Sequence, residues 1–302
     1  MNPDQSPRRD VALDRESRRR LFAIAYRIVG SRHDAEDAVH EGLARWYQLS
    51  DEQRATVREP LAWLTRVVSR ICLDELRSAR ARREEYRGIW LPEPDLINSG
   101  SAPVDPADRV TLDDTVSYAF LVVLEKLTPA ERVSFILHDV FGISFEEIAG
   151  TVGRTAAACR QLAVSARRRL AAEPRFEVPD AEHDRVVTAF LDACRRGDLG
   201  QLVALLDPNV VSVADGGDVV RAARRPVVGA SAVAAYLLGV LAQQATDGWT
   251  ISVEPINGRN GIVVRDGGTV VGTADLLVLG GRVAQIAMQV NPKKLQGVQS
   301  GD

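Results

Sequence analysis

The chain has 302 residues, 45% of them hydrophobic and 26% charged, with a formal net charge of −3. These are ordinary values for globular protein and exclude collagen-like, wholly disordered and disulfide-scaffold classes, and the length suits two or three domains. A negative total excludes wholesale coating of nucleic acid, yet the halves differ: residues 1–90 carry 18 basic and 15 acidic side chains, residues 181–302 carry 11 and 12.

Apolar residues recur at three- and four-residue spacing over 11–89, which predicts helices. Within them Asp34, Asp37 and Glu41 lie within about 60° on one helical face, with Val39, Leu43 and Trp46 opposite. A carboxylate stripe of this kind is either a solvated face or a docking surface for a basic partner. Next comes a helix opening at Pro60-Leu61-Ala62-Trp63. Trp63, Arg66, Arg70 and Arg77 lie along it, and Arg80, Arg82 and Arg83 extend the basic track. Such a helix beside the polar loop 50–59 can hold strand phosphates and stack an unpaired base; a core tryptophan under snorkelling arginines would look the same. Periodicity stops over 91–106, which has four prolines, and this reads as an extended linker.

Helical patterning resumes over 107–172. Residues 144–149, the turn Thr151-Val152-Gly153-Arg154 and a helix from Thr155 to Arg169 have helix-turn-helix spacing. On the second helix Cys159, Ala163, Ala166 and Leu170 share a small, apolar face. Gln161, Val164 and Arg168 lie opposite, flanked by Arg160 and Arg167. Residues 154–169 carry five arginines and no acid, a balance suited to a major groove.

After a second breaker at 173–180, helices give way to short β-rich runs (VVSVAD, TISVEPI, GIVVRDGG, TVVGTADLLVLGG, RVAQIAMQV) punctuated by Asp-Gly and Gly-Gly turns. The longest small-and-apolar run, 230–242, falls short of the roughly 20 residues a membrane span requires, and the N-terminal stretch lacks the apolar core of a secretory signal. Cys72, Cys159 and Cys194 are far apart with no CxxC pair. They read as reduced thiols of a cytoplasmic protein, with no metal site and no cofactor.

DAEDAVHE, the PLAWL helix with LDELR, the WLPEP linker and LTPAERVSFILHDVFGISFEEIAGTVGRT together resemble the bacterial extracytoplasmic-function sigma factors. YRGIWLPEP and NPKKL are similar to the subgroup with a C-terminal SnoaL-like domain. Three features depart from the pattern: His40 stands where relatives often carry Gln, Arg70 where many carry Asn, and Val219 where the subgroup's Asp-Gly-rich motif ends in Lys. The resemblance implies two all-α sigma domains, the second with a helix-turn-helix, followed by an α+β cone-shaped SnoaL-like barrel. Region 2 would span 10–90, the linker 91–106, region 4 107–172 and the SnoaL-like regulatory domain 181–295.

It further implies that Asp34, Asp37 and Glu41 dock on the clamp of the RNA polymerase core. Trp63, Arg66, Arg70 and Arg77 would hold the melted minus-ten element. Arg154, Thr155, Arg160, Gln161, Arg167 and Arg168 would read the double-stranded minus-thirty-five element. Trp90, Leu91, Pro92, Asp215, Gly216, Gly217, Asn291, Pro292 and Leu295 would regulate between domains. The competing reading is a SnoaL-type enzyme or ligand sensor fused to a helix-turn-helix repressor. An enzyme needs a placed acid or base, and no histidine follows His183, so regulation, with or without an unknown small ligand, is the expectation.

Overall fold

The computed structural model describes residues 14–84, 88–96, 118–171, 179–217, 219–244 and 248–296. Linker positions 97–106 and the side chains of Arg80, Arg82 and Arg83 lie outside the described residues. The chain divides into two compact units, Met1–Arg82 with Lys126–Leu170 and Arg83–Glu125 with Ala171–Asp302.

The first unit is helical, and short polar signals set its boundaries. Asp14 accepts the Ser17 N–H at 2.6 Å to start α1 (Arg15–Val29), which ends at Gly30 in the left-handed region. Ser31 caps α2 (Arg32–Gln48), and a Ser50–Gln53 capping box opens α3 (Asp51–Thr56), each cap satisfying N–H groups the first turn leaves without partners. Then α4 (Pro60–Glu84) begins at proline, whose missing N–H is no loss at that position. Leu21, Ile24, Ile28, Leu64, Val68 and Leu73 form its buried core. A Cβ at Gly42 would stand 2.6 Å from Val68 Cγ2, so only glycine lets α2 approach α4 this closely.

The next helix, α5 (Tyr118–Leu124), belongs to the second unit. The first resumes at α6 (Pro129–Phe135), opened by a Thr128–Glu131 capping box, and continues through a single π-helical turn, Ile136–Val140. Two further helices follow, α7 (Phe145–Val152) and α8 (Ala156–Ala171). Arg132 is buried, and its Nε and Nη2 both donate to the Arg27 carbonyl at 3.2 Å, tying α6 to α1.

In the second unit, α9 (Asp180–Arg196) and α10 (Leu199–Leu205) precede a six-stranded sheet: β1 (Leu206–Asp215), β2 (Val227–Val228), β3 (Trp249–Ile256), β4 (Arg259–Asp266), β5 (Thr269–Leu279) and β6 (Arg282–Gln289). Between β2 and β3 lies α11 (Ala230–Gln244), a helix the sequence reading did not call; α12 (Pro292–Leu295) closes the described chain. Strand order is β2-β1-β6-β5-β4-β3, with β1 parallel to β6 and every other pair antiparallel. This is the α+β architecture anticipated, with β2 and β3 at the edges of the sheet.

Both faces of the sheet are covered. Leu276, Val278 and Ile286 meet Val187, Phe190, Leu202 and Val233 of the helices on one side. Val213, Val263 and Ala287 meet Leu91, Tyr118 and Leu295 on the other. Strands covered twice need no polar face, so β5 reads as the near-continuous apolar run ADLLVL.

Candidate nucleic-acid interface and linker clamp

Helix α2 presents the expected stripe. Val39, Leu43 and Trp46 are buried; Asp37 and Glu41 are exposed, Asp34 half-buried. Within the helix the Asp37 carboxylate lies 3.5 Å from His33 Nε2, and Glu41 pairs with Arg45. Exposed pairs of this kind contribute little, on the order of 0–1 kcal/mol, so a basic partner could exchange with them readily.

On α4, Trp63 is half-buried, its ring 5.3 Å from that of Trp46. Arg66 and Arg70 are exposed but not idle. Arg70 Nη1 donates to the Thr151 carbonyl at 3.0 Å, at the end of α7, and its Nε lies 3.4 Å from Asp74. The Arg66 side chain passes within 3.6 Å of where a Cβ at Gly150 would stand. Arg77 pairs with Asp74 at 3.1 Å. Arg66 and Arg70 of α4 are thus brought onto the first helix and turn of the helix-turn-helix.

That motif forms from local signals. A Ser144–Glu147 capping box starts α7, and Gly153 (φ 72°) ends it with its N–H on the Ala149 carbonyl. Thr155 Oγ1 accepts the Ala158 N–H at 3.2 Å, so a residue expected at the DNA is also the cap of α8. Cys159, Ala163 and Ala166 are fully buried on one side of α8; Arg154, Gln161, Val164 and Arg168 are exposed on the other. The guanidinium of Arg160 lies 5.2 Å over the Phe145 ring, and Arg167 Nε pairs with Asp139 at 2.7 Å. Glu131, at the start of α6, braces the base of α8. Burial alone would raise its carboxyl, but hydrogen bonds with Ser165 and Thr128 outweigh that and hold it below the usual carboxylate range.

In the second unit the WLPEP segment is held by its backbone. The Asp215 carboxylate, fully buried at the end of β1, accepts the Leu91 N–H at 2.9 Å and Lys294 Nζ at 2.6 Å. Lys294 also donates to the Leu91 carbonyl at 2.6 Å and stands 3.9 Å over the Trp90 ring. Gln289 Nε2 donates to the Pro92 carbonyl at 3.1 Å, and Tyr118 hydroxyl donates to the same oxygen at 2.8 Å. Farther along, Asp95 and Asn257 exchange two bonds, at 2.7 and 3.0 Å, with Asn257 at φ 51°.

The expected loop and tail residues converge on this clamp. Gly216 and Gly217 turn the chain beyond Asp215, and a Cβ on Gly217 would stand 2.8 Å from Asn291 Nδ2. Asn291 accepts the Lys293 N–H as cap of α12, Pro292 begins that helix, and Leu295 is buried with Leu91. Sequence reasoning missed Lys294, Gln289, Tyr118, Asp95 and Asn257. Only Lys294 carried a signal, as one of the two lysines of NPKKL. Val219 is 62% exposed, and the cation paired with Asp215 is Lys294.

A capped helix-turn-helix with an arginine-rich, acid-free second helix, beside a helix carrying tryptophan and arginines, defines a DNA-binding transcription protein with a further α+β domain. The Sigma-70 region 2 model matches residues 13–82, and the Sigma-70, region 4 model residues 117–170. ECF RNA polymerase sigma factor SigJ of Mycobacterium tuberculosis is 42% identical over 226 residues, 74% of this chain and 70% of that protein. Probable ECF RNA polymerase sigma factor SigI of the same species is 37% identical over 292 residues, 95% and 94% of the two chains. A crystal structure of M. tuberculosis SigJ aligns with a TM-score of 0.73 at 33% identity, covering 93% of this chain and 96% of that one. The chain belongs to the extracytoplasmic-function RNA polymerase sigma factors, the subunits that direct polymerase to promoters. Its C-terminal region has the α+β architecture, and no described helix is long and apolar enough to cross a membrane.

Proposed function

We propose that this sigma factor is regulated in cis by its SnoaL-like domain, which grips the peptide backbone of the WLPEP linker segment. The observation that carries the reading is the buried Asp215–Lys294 pair closing on Leu91, with Gln289 on Pro92. A linker gripped through its N–H and carbonyl groups has fewer separations open to the sigma regions at its two ends, and polymerase requires one of them.

In this reading Asp34, Asp37 and Glu41 meet the polymerase clamp. Trp63, Arg66, Arg70 and Arg77 take the melted minus-ten element, and Arg154, Thr155, Arg160, Gln161, Arg167 and Arg168 take the minus-thirty-five duplex. Because Arg70 already donates to Thr151, minus-ten binding requires α4 to release α7, which suits a protein that binds DNA once polymerase has separated the two regions. The domain boundaries proposed are 10–90, 91–106, 107–172 and 181–295, and the site of action is the cytoplasm, where polymerase and chromosome lie.

We take the C-terminal domain as non-catalytic. Supporting this, Lys294 neutralises Asp215, and His183 Nε2 donates to the Leu276 carbonyl at 2.9 Å. The test is transcription reconstituted with core polymerase on the cognate promoter. Lys294→Met, which leaves both sigma regions intact, should change initiation several-fold at equal protein concentration. Unchanged transcription with a demonstrably freed linker would end the cis-regulatory reading.

A further inference from the structure

Just past the clamp, residues 219–226 run between β1 and β2 in irregular conformation, so their peptide groups are not committed to a helix or ladder. With Gly88, Ile89, Ala214, Gly216 and Gly217 they line an open pocket of about 470 Å³. Arg221 and Arg224 line it, and Arg225 is the next residue. All three arginines are exposed, and among the described residues none makes an ion pair. The nearest acid on the strand, Asp215, is engaged by Lys294. Asp218 lies outside the described residues, and by sequence 216–226 still carries three arginines against that one acid.

Three guanidiniums in a span of five residues repel one another, and the two at the concave wall, Arg221 and Arg224, focus a positive field into it. Arginine's planar fork of donors matches carboxylate and phosphate oxygens, giving short charge-assisted bonds. The rest of the wall is Ile89, Val219 and Val220 with small glycines and alanines, and the small residues let a ligand come close to the main chain. The volume falls within the roughly 300–1,000 Å³ of small-molecule sites and far exceeds one inorganic ion. We propose that this cavity binds a small organic oxyanion, a phosphate ester or polycarboxylate, with Arg221 and Arg224 on the anionic group. Gly88 and Ile89 of the pocket wall lead directly into Trp90–Pro92, and Gly216 follows Asp215, so an occupant sits beside both halves of the clamp. This coupling rests on the cis-regulatory reading; the binding does not.

The test is calorimetric titration of the full-length chain with glycerol 3-phosphate, with citrate and, as neutral control, with glycerol, at ionic strength held constant with chloride. Saturable binding of one oxyanion and none of glycerol is expected. Arg221→Gln with Arg224→Gln should weaken it by about tenfold or more, since two charge-assisted contacts are lost. Ala223→Leu, which fills the cavity without altering charge, should weaken it too. No saturable binding of either oxyanion up to about 10 mM, an affinity too weak to support a specific site, overturns the proposal, as does binding that both variants retain. Binding that leaves transcription unchanged keeps the site and removes only its coupling to the clamp.

Discussion

Asp215 and Asp275 are both buried carboxyls in the same sheet, and their surroundings give them opposite characters. Asp215 has Lys294, the Leu91 N–H and the Gly217 N–H around it, so its charge is met on all sides. A buried pair of this kind adds little net stability, but removing one partner strands the other at a cost of about 3–5 kcal/mol. Asp275 is 6% exposed, and burial pushes its carboxyl up to about 7, with Arg259 pulling weakly the other way. An unfolded aspartate titrates near pH 3.9. Between those values the folded chain keeps a proton the unfolded chain has lost, so stability present below about pH 4 declines as pH rises toward 7. Asp275→Asn should therefore flatten that decline and stabilise the second unit at pH 8 by roughly 2–4 kcal/mol. Hydrogen exchange of the β5 and β6 amides at pH 5 and pH 8 measures it; an unaltered pH slope would show that the carboxyl is charged in the folded state.

Helices α2 and α8 each divide into a buried face that holds the fold and an exposed face. Reversing Asp37 and Glu41 to arginine should abolish co-purification with core polymerase, because like charges would then meet at the clamp. Circular dichroism should be unchanged, since both side chains are exposed. Full polymerase binding by the double variant would remove the stripe from the docking surface. On α8, Gln161 is exposed and Arg160 stacks on Phe145, which predicts different losses. Gln161→Ala should change base preference in the minus-thirty-five element, a direct contact carrying about 1–3 kcal/mol of discrimination. Arg160→Ala should weaken initiation on every promoter variant alike, as a phosphate contact does. A uniform loss for Gln161→Ala across promoter variants would make it a backbone contact as well.

At the scale of the whole chain, the unit boundaries cut across the order of the sequence. The region 4 model begins at residue 117, yet α5 packs with the second unit: Tyr118 is 1% exposed against the sheet, its hydroxyl on Pro92. Truncation after Asp180 therefore exposes Leu91, Tyr118 and Val122. Transcription from the cognate promoter should change several-fold, and the truncated chain should aggregate more readily than the full chain as this apolar surface meets water. Removing only the stretch from Asn291 onward takes away Lys294 and Leu295 but leaves the sheet, and should alter activity without that aggregation. Light scattering and reconstituted transcription separate the two effects; two truncations that behave like the full chain would remove the C-terminal domain from regulation.

Local chemistry was legible in the sequence. Gly153 in the turn of the helix-turn-helix and the Asp-Gly and Gly-Gly hairpins each act within a few residues, so reading them required no knowledge of distant partners. The small-residue face of α8 and the acidic stripe of α2 were legible for the same reason: helical periodicity assigns faces before anything packs on them. What only the tertiary structure decided lies at long sequence separation. Asp215 pairs with Lys294 79 positions away, and Arg70 reaches Thr151 across 81. The parallel register of β1 on β6 places Asp215 beside Gln289, and no local pattern encodes that neighbour. Burial of a carboxyl, an amide and an ammonium together is tolerated only where the fold supplies every partner at once. Residue order therefore foretold which elements form, and packing alone decided which polar groups meet.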